Sequence, residues 1–211
     1  MLAAAAVLMA GFGLIYFFWK ESGSRKPLVF KALATFMPVL LALYRAAVTG
    51  EVSAWWIFAG VVFYMAADVL LEIWFLTGVA SFGIGHICVI TGFLYMGAAS
   101  WYAAGCFVIL YGMMFVAVRH YLKDLENLLV PGLAYAALLC VMAAMAVSLG
   151  IQHFALPAVL TGIGGVCFVV SDTILGWSHL SGKRRRAYSA VLLVLYYLAV
   201  YLLAAGQYFV A

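Results

Sequence analysis

The sequence predicts an all-α membrane protein, a bundle of about eight transmembrane helices with both termini on the non-cytoplasmic side. Three observations predict it. Hydrophobic residues make up 69% of the 211 and charged residues only 9%, with a mean hydropathy of +1.19. A soluble domain of this length devotes about 25% of its residues to charge, so water would face a surface this chain cannot make polar. Apolar runs of the length that crosses a bilayer recur along the whole chain. Finally, the basic residues gather at alternate breaks between those runs.

Breaks marked by charge, Pro and Gly divide the chain into spans near 2–19, 28–45, 54–72, 78–97, 100–118, 130–149, 154–176 and 188–210. The first span has no positive residue before it, while Lys20, Arg25 and Lys26 follow it. A cleaved leader carries its charge in front, so the segment reads as a permanent span. The connections are short and no linker divides the chain, which predicts one domain. Spans four and five nearly touch around 98–101, the one place where the count is open by one.

Charge sets the orientation. Ten of the eleven basic residues fall at the loops after spans one, three, five and seven or at their edges, with Arg45 alone opposite. The positive-inside bias makes that side cytoplasmic. The run Lys183–Arg186 then reads as a topology determinant that meets anionic headgroups, and no nucleic-acid partner is expected. Cys88, Cys106, Cys140 and Cys167 all lie inside apolar runs without a C-x-x-C pair, so they read as small buried hydrophobes. The expected setting is a multi-pass integral membrane protein, in the inner membrane if bacterial.

The informative residues are ionisable groups inside the spans. Asp68 and Glu72 sit near the cytoplasmic end of span three and His86 about two turns into span four. Asp172 lies about one turn from that end of span seven, and Lys31 begins span two. Five such groups on four helices therefore share one depth. A mid-bilayer charge costs about 2.5–3.5 kcal/mol on insertion scales, so three unpaired acids would cost roughly as much as the net stability of a domain. They are expected to be paired, protonated or facing a wet cavity. Bland explanations exist for each: Glu72 can reach the interface, Lys31 can snorkel, His86 can be a hydrogen-bonded structural group, and either Asp can join helices. The spacing of four puts Asp68 and Glu72 on one helix face. Tyr135, Tyr196, Tyr197 and Tyr201 read as aromatic-belt or packing residues, and His120, His153 and His179 read as loop histidines without metal-ligand spacing. Gly83 and Gly85 in span four, with Gly162, Gly164 and Gly165 in span seven, would let helices approach closely.

The stretches Val29-Phe30-Lys31, Ala67-Asp68-Val69-Leu70-Leu71, Gly85-His86 and Ser171-Asp172-Thr173-Ile174-Leu175-Gly176 resemble the lysoplasmalogenase (YhhN-like) family over nearly the whole chain. Ala67 stands where a glycine is common in that family. The resemblance implies an integral membrane hydrolase that cleaves the vinyl ether bond of lysoplasmalogens, with a lysophospholipid substrate, membrane lipid as surroundings and no cofactor or metal. It also implies that Asp68 and Asp172 are the catalytic carboxylates. The chemistry agrees, since vinyl ether hydrolysis needs one carboxyl group to deliver a proton and one carboxylate to activate water. His86 would orient a carboxylate or the water. Lys31, Glu72 and an arginine such as Arg184 would serve substrate binding at headgroup level. Two other classes stay open on the residues alone: a proton-coupled transporter, and a lipid hydrolase with a metal held by His86, Asp68 and Asp172.

Overall fold

The structure, a computed structural model, describes residues 1–20, 25–120, 128–182 and 185–209. Among these are eight membrane-length helices: α1 (Leu2–Trp19), α2 (Leu28–Thr49), α3 (Val52–Ile73), α4 (Phe75–Tyr95), α5 (Trp101–Val118), α6 (Leu129–His153), α7 (Leu156–Ser181) and α8 (Arg186–Ala205). A short 3₁₀ turn, Gly206–Phe209, follows α8. No strand occurs among the described residues, as expected where lipid cannot satisfy an open sheet edge. At 18 to 26 residues, the helices span about 27–39 Å, enough for a hydrocarbon core of about 30 Å.

The doubtful break near 98–101 is a genuine turn. Gly97 takes a positive φ of 77° between α4 and α5. Ser100 caps α5 by accepting from the Ala103 amide at 3.4 Å. Ser148 of α6 ties the turn down, donating to the Ala98 carbonyl at 3.0 Å and lying 2.7 Å from the Ser100 hydroxyl. Buried backbone polar groups need such partners, and here a neighbouring helix supplies them.

Helix ends alternate between two faces of the bundle. At one face the start of α1 meets the end of α8, where the Tyr201 hydroxyl donates to the Leu2 carbonyl at 3.1 Å. The other, the basic face, gathers the ends of α1, α3 and α7 with the starts of α2, α4 and α8. Tyr16, Lys31 and Glu72 meet there, and Phe75 stacks on His179 with ring centroids 4.0 Å apart. α7 runs to Ser181, further than the apolar pattern suggests, so His179 lies on a helix and not in a loop.

Small residues bring the central helices together, because association in lipid relies on close packing. A Cβ on Gly85 would stand 2.6 Å from the Tyr64 ring and 3.0 Å from the Gly60 carbonyl, so α3 and α4 touch through backbone. Gly164 does the same for α7 against α8, where its Cβ would lie 2.9 Å from that of Leu202. Gly83 differs from expectation: a Cβ there would meet only ordinary contacts near 3.9 Å, so it sets no helix approach. α5 is peripheral and buries no residue. The ionisable groups all sit on the inner helices.

Candidate active site

Lys31, Asp68, His86 and Asp172 are all buried, at 4%, 2%, 0% and 7% exposure. Helical register explains how they meet. Lys31 and Thr35 are four apart on α2, while Tyr64, Asp68 and Glu72 form a line of four-residue steps on α3. The two lines face each other. The Lys31 ammonium lies 3.0 Å from Glu72 Oε1 and 3.9 Å from Asp68 Oδ1, and the Tyr16 hydroxyl of α1 donates to the same Glu72 oxygen at 2.7 Å. Thr35 donates to Asp68 Oδ2, and the Tyr196 hydroxyl of α8 also reaches that carboxylate. One cation and two hydroxyls therefore converge on Asp68.

Asp172 of α7 has a different shell. Tyr135 of α6 donates to its Oδ2, and behind Tyr135 lies His86. The imidazole joins two tyrosines, with Nδ1 2.8 Å from the Tyr64 hydroxyl and Nε2 3.4 Å from that of Tyr135. Proton counting orients the relay. Tyr135 spends its proton on Asp172, so it can only accept from His86 Nε2–H, which leaves Nδ1 to accept from Tyr64. His86 thus touches Asp172 only through Tyr135. Phe168, one turn before Asp172, closes the wall, with its ring centroid 5.0 Å from His86 and 5.1 Å from Tyr64.

Asp68 and Asp172 lie within electrostatic reach of each other. Above them a cleft of about 420 Å³ opens at the basic face. Glu72, Leu71 and Leu175 form part of its lining, and each stands one turn above an aspartate on the same helix. The aspartates therefore lie roughly 5 Å beneath the cleft's lining. Glu72 is the exposed member, with 41% of its side chain accessible.

The sequence missed the hydroxyl groups. Tyr135, read as a belt or packing residue, instead donates to Asp172, and Tyr196, read the same way, donates to the Tyr64 carbonyl at 3.4 Å within reach of Asp68; Tyr16, Thr35 and Tyr64 complete the shells. The four-residue spacing of Thr35 from Lys31 and of Tyr64 from Asp68 was the available signal. Tyr197 is 7% exposed and lies within electrostatic reach of Asp68 and Glu72, yet its hydroxyl has no partner among the described residues. Arg184, expected at the headgroup, lies outside the described residues; Arg185 and Arg186 line the cleft. Among the described residues, His86, Asp68 and Asp172 do not converge as a metal-ligand set, because both imidazole nitrogens face tyrosine hydroxyls.

These features define a polytopic helical membrane protein with a layer of buried carboxylates under an open cleft. The chain belongs to the YhhN family, whose model matches residues 28–207. The match begins at α2, so Tyr16 joins the site from a helix outside the matched range. No curated protein and no solved structure matches the chain significantly.

Proposed function

We propose that this protein is an intramembrane hydrolase that cleaves the vinyl ether bond of lysoplasmalogens, releasing a fatty aldehyde and glycerophosphocholine or glycerophosphoethanolamine. The observation that carries the reading is a pair of buried aspartates on α3 and α7, in electrostatic reach of each other beneath a cleft at one face of the bundle. The positive-inside bias makes that face cytoplasmic.

The two shells differ in a way that suits acid–base chemistry. Lys31 and two hydroxyls surround Asp68 and favour its carboxylate form. Among the described residues no cation pairs with Asp172, whose shell is the Tyr135 hydroxyl and an aromatic wall, so the scheme gives the proton to Asp172. In this scheme Asp172 protonates the alkenyl carbon remote from oxygen, and the C=C electron pair forms the new C–H bond. An oxocarbenium ion results. Asp68 takes a proton from water as that water adds to the oxocarbenium carbon, giving a hemiacetal. The hemiacetal collapses with C–O cleavage; the oxygen of the glycerol fragment leaves with a proton and the aldehyde remains. His86 acts as a positioning residue that holds Tyr135 against Asp172. The vinyl ether oxygen sits one glycerol backbone from the phosphate, which matches a headgroup in the cleft and carboxylates one helical turn below.

Aldehyde release from defined lysoplasmalogen by purified protein in detergent micelles tests the reading. Asp68→Asn and Asp172→Asn should each lose roughly 100-fold or more in kcat, the scale of a general acid or base. Near-normal turnover in both variants, with folding intact, would sink it. Micelles have no sealed compartment, so release there also separates hydrolysis from transport.

A further inference from the structure

Tyr197 of α8 is a buried polar group that the hydrolytic scheme leaves unused. It lies one turn beneath Leu193, which lines the cleft, much as Asp68 lies one turn beneath Glu72 on α3. α8 meets α3 near this level, where the Tyr196 hydroxyl donates to the Tyr64 carbonyl at 3.4 Å. The Tyr197 ring is seated against α1: a Cβ on Gly13 would stand 2.7 Å from its Cε2, so glycine there leaves the ring its room. Tyr196 packs on it as well, with ring centroids 5.5 Å apart. The seat carries the Tyr197 hydroxyl within electrostatic reach of Asp68, Tyr16 and Glu72, yet that hydroxyl has no hydrogen-bond partner among the described residues. Buried hydroxyls are nearly always paired, so this one calls for a ligand.

Asp68 is open in the complementary sense. An ionised carboxylate offers about four acceptor positions. Thr35 donates to its Oδ2, the Lys31 ammonium stands 3.9 Å from its Oδ1, and the proton of nearby Tyr196 goes to the Tyr64 carbonyl. Among the described residues, a buried donor without an acceptor therefore faces the field of a carboxylate with room for a donor. The two make no bond to each other. An oxygen that accepts from Tyr197 and donates to Asp68 satisfies both, and a water held in that way keeps one lone pair free to attack.

We propose that Tyr197 is a further positioning residue of the site, whose hydroxyl and Asp68 hold between them the water that adds to the oxocarbenium carbon. The inference rests on the hydrolase reading and adds to it the group that aims the nucleophile. Aim matters because the substrate carries a rival. A lysoplasmalogen has a free hydroxyl on the glycerol carbon next to the one that bears the vinyl ether. Attack by that hydroxyl forms a C–O bond to the oxocarbenium carbon, passes its proton to Asp68 and closes a cyclic acetal (a dioxolane). No C–O bond then breaks and no aldehyde leaves. Water held by Tyr197 and Asp68 forestalls this closure and leads to the hemiacetal.

Product partition tests the proposal. Purified protein in detergent micelles is given lysoplasmalogen, and vinyl ether, aldehyde and cyclic acetal are followed together by proton NMR. The unmodified protein should give aldehyde free of cyclic acetal. Tyr197→Phe should lower kcat for aldehyde release about tenfold with KM within about twofold, since it disturbs the nucleophile and not the lipid. Cyclic acetal should appear in its place, so that vinyl ether is consumed faster than aldehyde is released. Tyr201→Phe removes a hydroxyl from the same helix at the opposite face, where it donates to the Leu2 carbonyl, and should change neither rate nor product. Aldehyde that accounts for all the vinyl ether consumed by Tyr197→Phe would overturn the proposal at whatever rate; with a raised KM it would assign the hydroxyl to the lipid. So would cyclic acetal from the unmodified protein at the variant's level, or from Tyr201→Phe. A folded Tyr197→Phe that consumes no vinyl ether would place the residue before the oxocarbenium ion and overturn it too. Intact vinyl ether with the unmodified protein would remove the hydrolase reading and this inference with it, whereas normal aldehyde release by Tyr197→Phe removes this inference alone.

Discussion

Lys31 is the residue on which the acidic layer depends. Its ammonium is the cation between Asp68 and Glu72, and both it and Asp68 are almost fully enclosed. Removing one partner of a buried pair leaves an uncompensated charge, at a cost of about 3–5 kcal/mol. Lys31→Met should destabilise on that scale, and adding Asp68→Asn should recover much of the loss because the enclosed carboxylate that lost its cation is then neutral, while Glu72 keeps access to water. Thermal unfolding of the single and double variants in detergent measures the coupling; additive losses would show that the pair is not a unit. Tyr197 has the opposite character. Its hydroxyl is buried without a partner among the described residues, which costs about 1–3 kcal/mol in an apolar setting. Tyr197→Phe should therefore raise the melting temperature. If the hydroxyl holds the attacking water, the same variant should lower kcat with KM little changed. A packing role predicts no such loss of turnover.

At the scale of elements, the site depends on how closely α3 and α4 approach. Gly85 lets the α4 backbone press against the Tyr64 ring and sits next to His86, so one residue sets both the helix distance and the start of the relay. Gly85→Ala should cost about 1–3 kcal/mol, the usual penalty for overpacking. It should also lower turnover, because Tyr64 must move away from His86. Melting and kcat measured on the same preparation check both parts. Gly83→Ala is the contrasting case, since its Cβ would meet only ordinary contacts. The five ionisable residues were legible from sequence because a charge in an apolar run is costly and stands out. The tyrosines and Thr35 were not, because such residues are common at membrane interfaces and in helix packing. Only the crossing of α6 and α8 over α3 and α7 shows Tyr135 and Tyr196 turned toward carboxylates.

For the whole molecule, the alternating ends of the eight described helices place the start of α1 and the end of α8 at one face and every described basic residue except Arg45 at the other. The positive-inside bias then predicts that a reporter fused after residue 211 is exported. A paired set of fusions, one active only in the cytoplasm and one only outside it, reads the answer. Cytoplasmic activity of the C-terminal fusion would invert the orientation and place the cleft on the outer side.

Sequence alone determined the membrane class, the number of spans to within one, the shared depth of the ionisable groups and the resemblance that led to the family. All of these follow from one-dimensional quantities: the length of an apolar run, the position of a charge along it, and the order of short motifs. The partners were decided by tertiary structure. Nothing in the chain order says that Lys31 lies nearer to Glu72 than to Asp68, that His86 reaches Asp172 through Tyr135, or that four cations ring one cleft. Those facts depend on the rotation of each helix about its axis, which side-chain packing between helices sets and hydropathy along a single span cannot.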